Sequence, residues 1–301
     1  MSLLPFLRRK EAPAAATATP ALLRGWSIEV MPRTAEKVED LRALLPPGTR
    51  VYVAHIDGTE TADMVATARR LAREGFPVMP HFPARSIADR AALADLVARY
   101  RGEAGVTEGL ILAGGRKEPL GDFHSSMQLL ETGLFGDFAR LHLAGHPEGN
   151  RDIDADGSDR LVMEALRWKQ AFAERTGATV ALTTQFVFEA APALAWADRL
   201  RAEGIHIPVH IGVAGPAKLQ TLIKFAIACG VGPSLQVLQK RAMDVTKLLL
   251  PYEPDEVVEA LARAAHPAIE QVHLFPLGGI RQAAEWAVAR TGGAPAVKVP
   301  A

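Results

Sequence analysis

The sequence predicts an α/β protein of one closed (β/α)8 (TIM-type) barrel, and three observations carry that prediction. The chain length suits a single such domain. Eight short apolar runs are each followed by a stretch of helical spacing. Glycines stand where helices must end before the next run begins. At 301 residues the chain is long for one ordinary domain but matches the ~250 residues that an α/β barrel typically needs. Apolar residues make up 49% of it and charged residues 23%, enough to fill one large core.

The apolar runs are WSIEVM (26–31), RVYVAHI (50–56), FPVMPHF (76–82), EGLILAGG (108–115), RLHLAGH (140–146), TVALTTQFVF (179–188), IHIPVHIGV (205–213) and QVHLFPL (271–277). They have the length of buried strands, and several are rich in Val and Ile. Helical spacing follows at 34–45, 60–74, 88–101, 123–133, 158–175, 191–203, 216–229 and 279–290. In the second of these Met64, Ala68 and Leu71 share one face, while Arg69, Arg70 and Arg73 can turn outward. Gly75, Gly177 and Gly204 fall where a helix C-cap is needed. Strict strand–helix order argues for parallel pairing and closure.

One irregularity is an extra helical insert before the last strand, at about 234–265. An open doubly wound sheet is the alternative architecture. It would carry a glycine-rich phosphate turn after its first strand, where this chain has Met31-Pro32-Arg33. The domain limits are an arm at 1–25, the barrel at 26–292 and a tail at 293–301. The arm opens on Arg8, Arg9, Lys10 and Glu11 and turns into an Ala/Pro/Thr stretch, expected to be mobile.

Lys+Arg and Asp+Glu both total 34. Without a basic excess a nucleic-acid partner is not expected, and no basic stripe suits a membrane surface. Cys229 is the sole cysteine. It excludes a disulfide framework or a thiolate zinc site within the chain and fits a reducing cytoplasm. The opening MSLLPFLRRKE puts apolar residues before charges, the reverse of a signal peptide. No run approaches the ~18 apolar residues of a membrane span.

In such a barrel the chemistry belongs at the C-terminal ends of the strands. Glu29 lies between Ile28 and Val30, and a carboxylate in an apolar strand is costly unless paired or used. Desolvation is expected to raise its pKa toward a general acid's working range, a structural ion pair being the alternative. His55, Asp57 and His81 end the second and third strands. Their spacing matches no recognised ligand motif, so no metal is expected, and His81 reads as a polar ligand contact or as a histidine hydrogen-bonded at a strand end. Ala113-Gly114-Gly115 ends the fourth run, where glycines let backbone approach a ring or phosphate. His146-Pro147-Glu148-Gly149-Asn150 ends the fifth. Gln185, planted in an apolar run, can grip a heterocycle with a donor and an acceptor at once, or stand as a satisfied core amide.

Taken together these residues resemble the methylenetetrahydrofolate reductase family. SIEVMPR (27–33) resembles its first-strand signature, and PHF (80–82) its Pro-His at strand three. AGHPEGN (144–150) is similar to its Ala-Gly-x-Pro-Glu-x-His segment. TTQFVFEAAPALAWADRLRAEGIHIPVHIGV (183–213) matches its Thr-Gln-Phe-x-Phe block, the next helix and the next strand. GGRKEPLGDFHSSMQLLETGLF (114–135) resembles the shorter bacterial branch. The resemblance spans about 26–292.

What it implies is a barrel with FAD across the strand ends, and with NAD(P)H and a tetrahydrofolate-type substrate using one face in turn. Hydride would interconvert 5,10-methylenetetrahydrofolate and 5-methyltetrahydrofolate. Glu29 would be the catalytic acid and Gln185 would bind the pterin. His81, Ala113, Gly114, Gly115 and His146 would stand along the flavin, and Lys169 would meet its phosphates. Three positions depart from the family pattern. Ala113-Gly114-Gly115 replaces Arg-Gly-Asp, Leu219 holds the place of a substrate-stacking aromatic, and Asn150 replaces a flavin-holding histidine. A flavin-independent enzyme with direct nicotinamide-to-folate transfer, and a non-catalytic folate-binding barrel, are the alternatives. Whether the chain acts as a monomer or a homo-oligomer is left open.

Overall fold

The computed structural model describes residues 21–229, 236–239 and 251–292. Eight parallel strands close a barrel in chain order. They are β1 (Ser27–Val30), β2 (Val51–Val53), β3 (Val78–Pro83), β4 (Glu108–Leu112), β5 (Arg140–Gly145), β6 (Val180–Val187), β7 (Val209–Ala214) and β8 (Ile269–Phe275). The helices described are α1 (Pro32–Ala35), α2 (Thr61–Arg73), α3 (Arg90–Ala104), α4 (Ser126–Glu131), α5 (Arg160–Thr176), α6 (Ala190–Ala202), α7 (Leu219–Ala228), α8 (Asp255–Ala264) and α9 (Ile280–Thr291). The closed barrel excludes the doubly wound alternative. Gly75, Gly177 and Gly204 all have positive φ, as C-caps before a strand require.

The stretch 34–45 does not form one helix. It breaks into the four-residue α1 and a 3-10 turn at Leu41–Ala43. Two competing sets of hydrogen bonds explain the break. Arg70 of α2, expected to face outward, donates to the carbonyls of Ala35 and Glu39, both at 2.9 Å, and also to that of Val38. Those carbonyls would otherwise accept within a continuing helix. Asp40 then caps the new turn by accepting from the Arg42 N–H at 2.9 Å. Of the insert expected before the last strand, α8 is described. The remainder, apart from the helical residues 236–239, largely lies outside the described residues, as do residues 1–20 of the arm and the tail at 293–301.

The main apolar core lies between the strands and the helices. Ile28 and Val30 of β1, Val51 and Val53 of β2, Leu143 of β5 and Ile211 of β7 join Leu71, Leu93, Leu166 and Leu200 of the helices there. The barrel interior is different. A small cluster of Tyr52, Met79 and Leu110 shares it with the buried polar side chains of His142, Thr183, His210 and His273. Barrel interiors are usually layers of branched aliphatic residues, so this polar column is the feature of the fold that bears most on function. Among the described residues no helix is long and apolar enough to cross a membrane.

Candidate active site

A cavity of about 1180 Å³ opens at the C-terminal ends of the strands, walled by residues from β1, β3, β4, β5, β6 and β8 and from α7. Glu29, His81, His146 and Gln185 all line it, so the barrel brings these four predicted residues together. Period-two alternation explains β1. Ile28 and Val30 turn outward to the core, which aims Ser27 and Glu29 inward.

Glu29 Oε2 stands 3.3 Å from His81 Nε2 and 3.9 Å from His273 Nε2. Burial alone would raise the Glu29 pKa, but the imidazoles of His273 and His81 beside it outweigh burial and take the carboxyl down to about 2. The expected upward shift is therefore corrected. Desolvation is real, but two imidazoles supply more stabilisation of the carboxylate than burial removes. Glu29 is ionised at neutral pH before any ligand arrives. Burial in turn pushes the His273 imidazolium below its ordinary range, against the pull of Glu29. His273 Nδ1 is fixed by Ser27 Oγ at 2.9 Å.

Gln185 owes its position to an irregularity in pairing. Thr183 pairs with His210 and Phe186 with Gly212, so β6 carries one extra residue against β7. Thr184 closes this bulge, accepting from the Gly212 N–H at 2.9 Å and donating to the Gln185 carbonyl at 2.8 Å. Position 212 must be glycine, because a Cβ there would come within 2.6 Å of the Thr184 carbonyl oxygen. The bulge presents the Gln185 side chain to the cavity, where its Oε1 accepts from the Phe186 N–H at 3.2 Å.

The remaining predicted residues are placed otherwise. Ala113, Gly114 and Gly115 are not among the residues that line the cavity. The Ala113 carbonyl accepts from the Arg85 N–H at 2.9 Å. Gly114 has φ +91 and would bring a Cβ to 2.9 Å from Pro83 Cβ, so it serves a tight turn against β3. Gly115 is exposed. Lys169 lies on the buried face of α5 and donates to the Ala144 carbonyl at 2.8 Å, away from the cavity wall. Burial pushes its ammonium down to about 8. His146 has its imidazolium form pushed down to about 4, first by burial and then by the Lys169 charge. Asn150 sits 3.5 Å from His146 Nδ1 at the cavity mouth. Leu219 is buried with Phe186, Phe188 and Tyr252 beneath the cavity wall.

His55 lines the cavity, whereas Asp57 turns to Arg116 at 2.7 Å. Among the described residues no group of three or more His, Cys, Asp or Glu side chains is arranged to hold a metal ion. Sequence reasoning passed over His273, Phe225 and Phe275, all of which line the cavity. For His273 and Phe275 a signal existed, since residues 271, 273 and 275 alternate along the last strand. Phe225 is more than a turn beyond Leu219 on α7, and nothing in the local pattern sets it apart from a core residue.

This arrangement can hold a flat polar ring against mixed apolar and polar walls, and it can move a proton between a carboxylate and two imidazoles. No family model matches the chain. Solved structures similar to it include an intracellular xylanase from Thermoanaerobacterium saccharolyticum, at 10% identity and a TM-score of 0.43, covering 87% of this chain and 89% of that one. The carboxyl transferase domain of pyruvate carboxylase from Rhizobium etli is similar at 11% identity and a TM-score of 0.43, covering 95% of this chain and 52% of that one. Dihydropyrimidinase from Brevibacillus agri is similar at 15% identity and a TM-score of 0.36, covering 80% of this chain and 58% of that one.

Proposed function

We propose that this chain is an NAD(P)H-dependent oxidoreductase of the methylenetetrahydrofolate reductase type, interconverting 5,10-methylenetetrahydrofolate and 5-methyltetrahydrofolate. The observation that supports it most is the Glu29 carboxylate, 3.3 Å from His81, sharing one cavity with the Gln185 amide. Opening the methylene bridge of a folate requires a proton at a ring nitrogen and a group that orients the pterin. Glu29 holds the proton relay point and Gln185 the pterin. Because the free carboxylate is ionised, Glu29 must take up a proton before it can deliver one to the folate. Closing a ligand over the cavity excludes water and favours that transfer, by destabilising the charged carboxylate.

A flavin fits the cavity in part. His81 and His146 with the apolar wall of Leu110, Leu112 and Phe225 are suited to a planar ring system. Such a flavin would supply a two-electron carrier between nicotinamide and folate. Lys37, Arg151 and Arg281, which line the cavity, are the cations suited to its phosphates in place of the inward-facing Lys169.

A second reading is favoured by a specific observation. Four of the residues assigned to the flavin, Ala113, Gly114, Gly115 and Lys169, stand off the cavity, while about 1180 Å³ exceeds the roughly 300–1000 Å³ of ordinary ligand sites. Nicotinamide and pterin can then lie side by side and exchange hydride directly. One preparation separates the readings. Yellow protein that releases flavin on denaturation and oxidises NAD(P)H with methylenetetrahydrofolate supports the first. Colourless protein with the same folate-dependent oxidation supports the second. Absence of that oxidation in protein supplied with FAD overturns both.

A further inference from the structure

The amide of Gln185 is set by its two chain neighbours, and together they decide which of its atoms a ligand meets. Phe186 is buried, and its ring packs edge-on against Phe188 and Phe275 with centroids 5.7 and 5.4 Å apart. Its main chain pairs with Gly212 of β7. The Phe186 N–H is therefore held in one direction, and it donates to Gln185 Oε1 at 3.2 Å. A main-chain N–H can only donate, so the oxygen end of the amide must face it. The reverse orientation would set two donors against each other and leave that N–H unsatisfied. What the amide offers beyond this bond is Nε2, with two N–H donors and no hydrogen-bond partner among the described residues.

Thr184 holds the main chain from the other side. It is buried and still pairs with Gly145, the last residue of β5. Toward β7 the ladder is out of register, and there the Thr184 hydroxyl joins the two strands. It gives one bond to the Gln185 carbonyl at 2.8 Å and takes one from the Gly212 N–H at 2.9 Å. A hydroxyl can do both at once, whereas valine has the same shape and can do neither. The missing side chain at Gly212 brings β7 this close, since a Cβ there would stand 2.6 and 2.7 Å from the carbonyl oxygens of Thr184 and Gln185.

We propose that Thr184 is a positioning residue that fixes Gln185 as a hydrogen-bond donor, so that this point of the cavity recognises an acceptor on the bound ring, a carbonyl oxygen or an unprotonated ring nitrogen. The proposal rests on the reading of Gln185 as the ring-binding group and sharpens it. The donor-and-acceptor grip expected of an amide gives way to a one-sided contact through Nε2. A tetrahydropterin carries a ring carbonyl that accepts and ring N–H groups that donate, so a donor-only contact selects one edge of it and thereby which way round it lies. Thr184 also lines the cavity, but its hydroxyl is committed to main chain on both sides, so it acts through Gln185.

The test uses the full chain, 15N-labelled, with 5-methyltetrahydrofolate as the probe ligand. Without ligand, Thr184→Val should speed hydrogen exchange at the Phe186 amide by about tenfold or more. Thr184→Ser should return it to within about twofold of wild type, and the Leu182 amide, bonded to the Pro208 carbonyl below the bulge, should not change. With ligand, Thr184→Val should weaken binding by about tenfold. In a Gln185→Ala background the same change should add less than about twofold, because the two residues act as one unit. On binding to wild type, the Gln185 side-chain N–H signals should shift and exchange more slowly, with the Phe186 amide still protected.

Unchanged exchange at Phe186 in folded Thr184→Val, or losses that multiply independently in the double variant, overturns the positioning role. Where Thr184→Val does not fold, the wild-type spectra decide. Loss of protection at Phe186 on binding, or Gln185 N–H signals that bound ligand leaves untouched, overturns the donor assignment. If ligand-free exchange behaves as expected and wild type binds no 5-methyltetrahydrofolate, the positioning role stands and the folate reading falls.

Discussion

Replacing Glu29 with glutamine tests the electrostatics of the site and its chemistry together. The amide keeps the shape but has the charge of the protonated acid. Moving the carboxyl from 4.5 to about 2, at about 1.4 kcal/mol per unit, means the fold favours the ionised form by about 3 kcal/mol. The sign follows from the depressed folded pKa. The stabilisation is fully present above pH 4.5 and is lost as pH falls through about 2. Glu29→Gln should therefore be less stable than wild type by up to about 3 kcal/mol at pH 7, and by roughly half that at pH 3. Urea unfolding of both proteins at the two pH values measures the difference, and titrating groups that do not face Glu29 cancel in it.

In single-turnover assays the same variant should lose about 10²–10⁴-fold in reduction of methylenetetrahydrofolate. Oxidation of NAD(P)H by a non-folate acceptor should persist where a flavin is bound. A stability difference independent of pH would refute the assigned ionisation. Near wild-type folate turnover would remove Glu29 from the mechanism, and equal loss of both half-reactions would make it a structural carboxylate.

Gln185→Ala deletes an amide contact and moves no proton, so it should raise the KM for folate by about tenfold or more with a smaller effect on kcat; a selective loss of kcat would contradict that role. Lys169→Met should be at least as stable as wild type at pH 7, because a pKa lowered from 10.5 to about 8 means that burying the ammonium costs about 3 kcal/mol. Wild type should regain that stability relative to the variant as pH rises from 8 toward 10.5, and a difference flat with pH across this range would refute the buried ammonium.

The barrel was legible because its signals are local and repeated. Apolar runs, helical stretches and the caps at Gly75, Gly177 and Gly204 all recur in register with the chain. The stretch 34–45 failed because its outcome depends on Arg70, a residue on the next helix that takes the carbonyl groups of Ala35, Val38 and Glu39. Glu29 and Gln185 stood out as polar residues inside apolar strands. The direction of the Glu29 shift did not, since it depends on His81 and His273, far away in sequence. Lys169 shows the same limit from the other side. The resemblance gave it flavin phosphates to meet, and only the packed barrel decides that its ammonium meets a backbone carbonyl from the buried face of α5.

Both marked breaks in strand register fall on the seam from β6 to β8, and they act at opposite ends of it. The break at Thr183/Phe186 leaves Gln185 facing the cavity. The break at Val209/His210 brings Glu270 to His210 at the other end. A regular ladder would have buried more apolar surface and left fewer polar atoms to satisfy. Instead the interior between the two bulges holds Thr183, His210 and His273, and several of its nitrogens find no partner among the described residues. Such groups cost on the order of 1–3 kcal/mol each when unpaired, against a net stability of only about 5–15 kcal/mol for a typical domain. A fold that needed only a filled barrel has cheaper solutions in Leu, Ile and Val. The polar interior is therefore a cost that the fold carries between a bulge at the cavity and a bulge at the opposite end of the barrel.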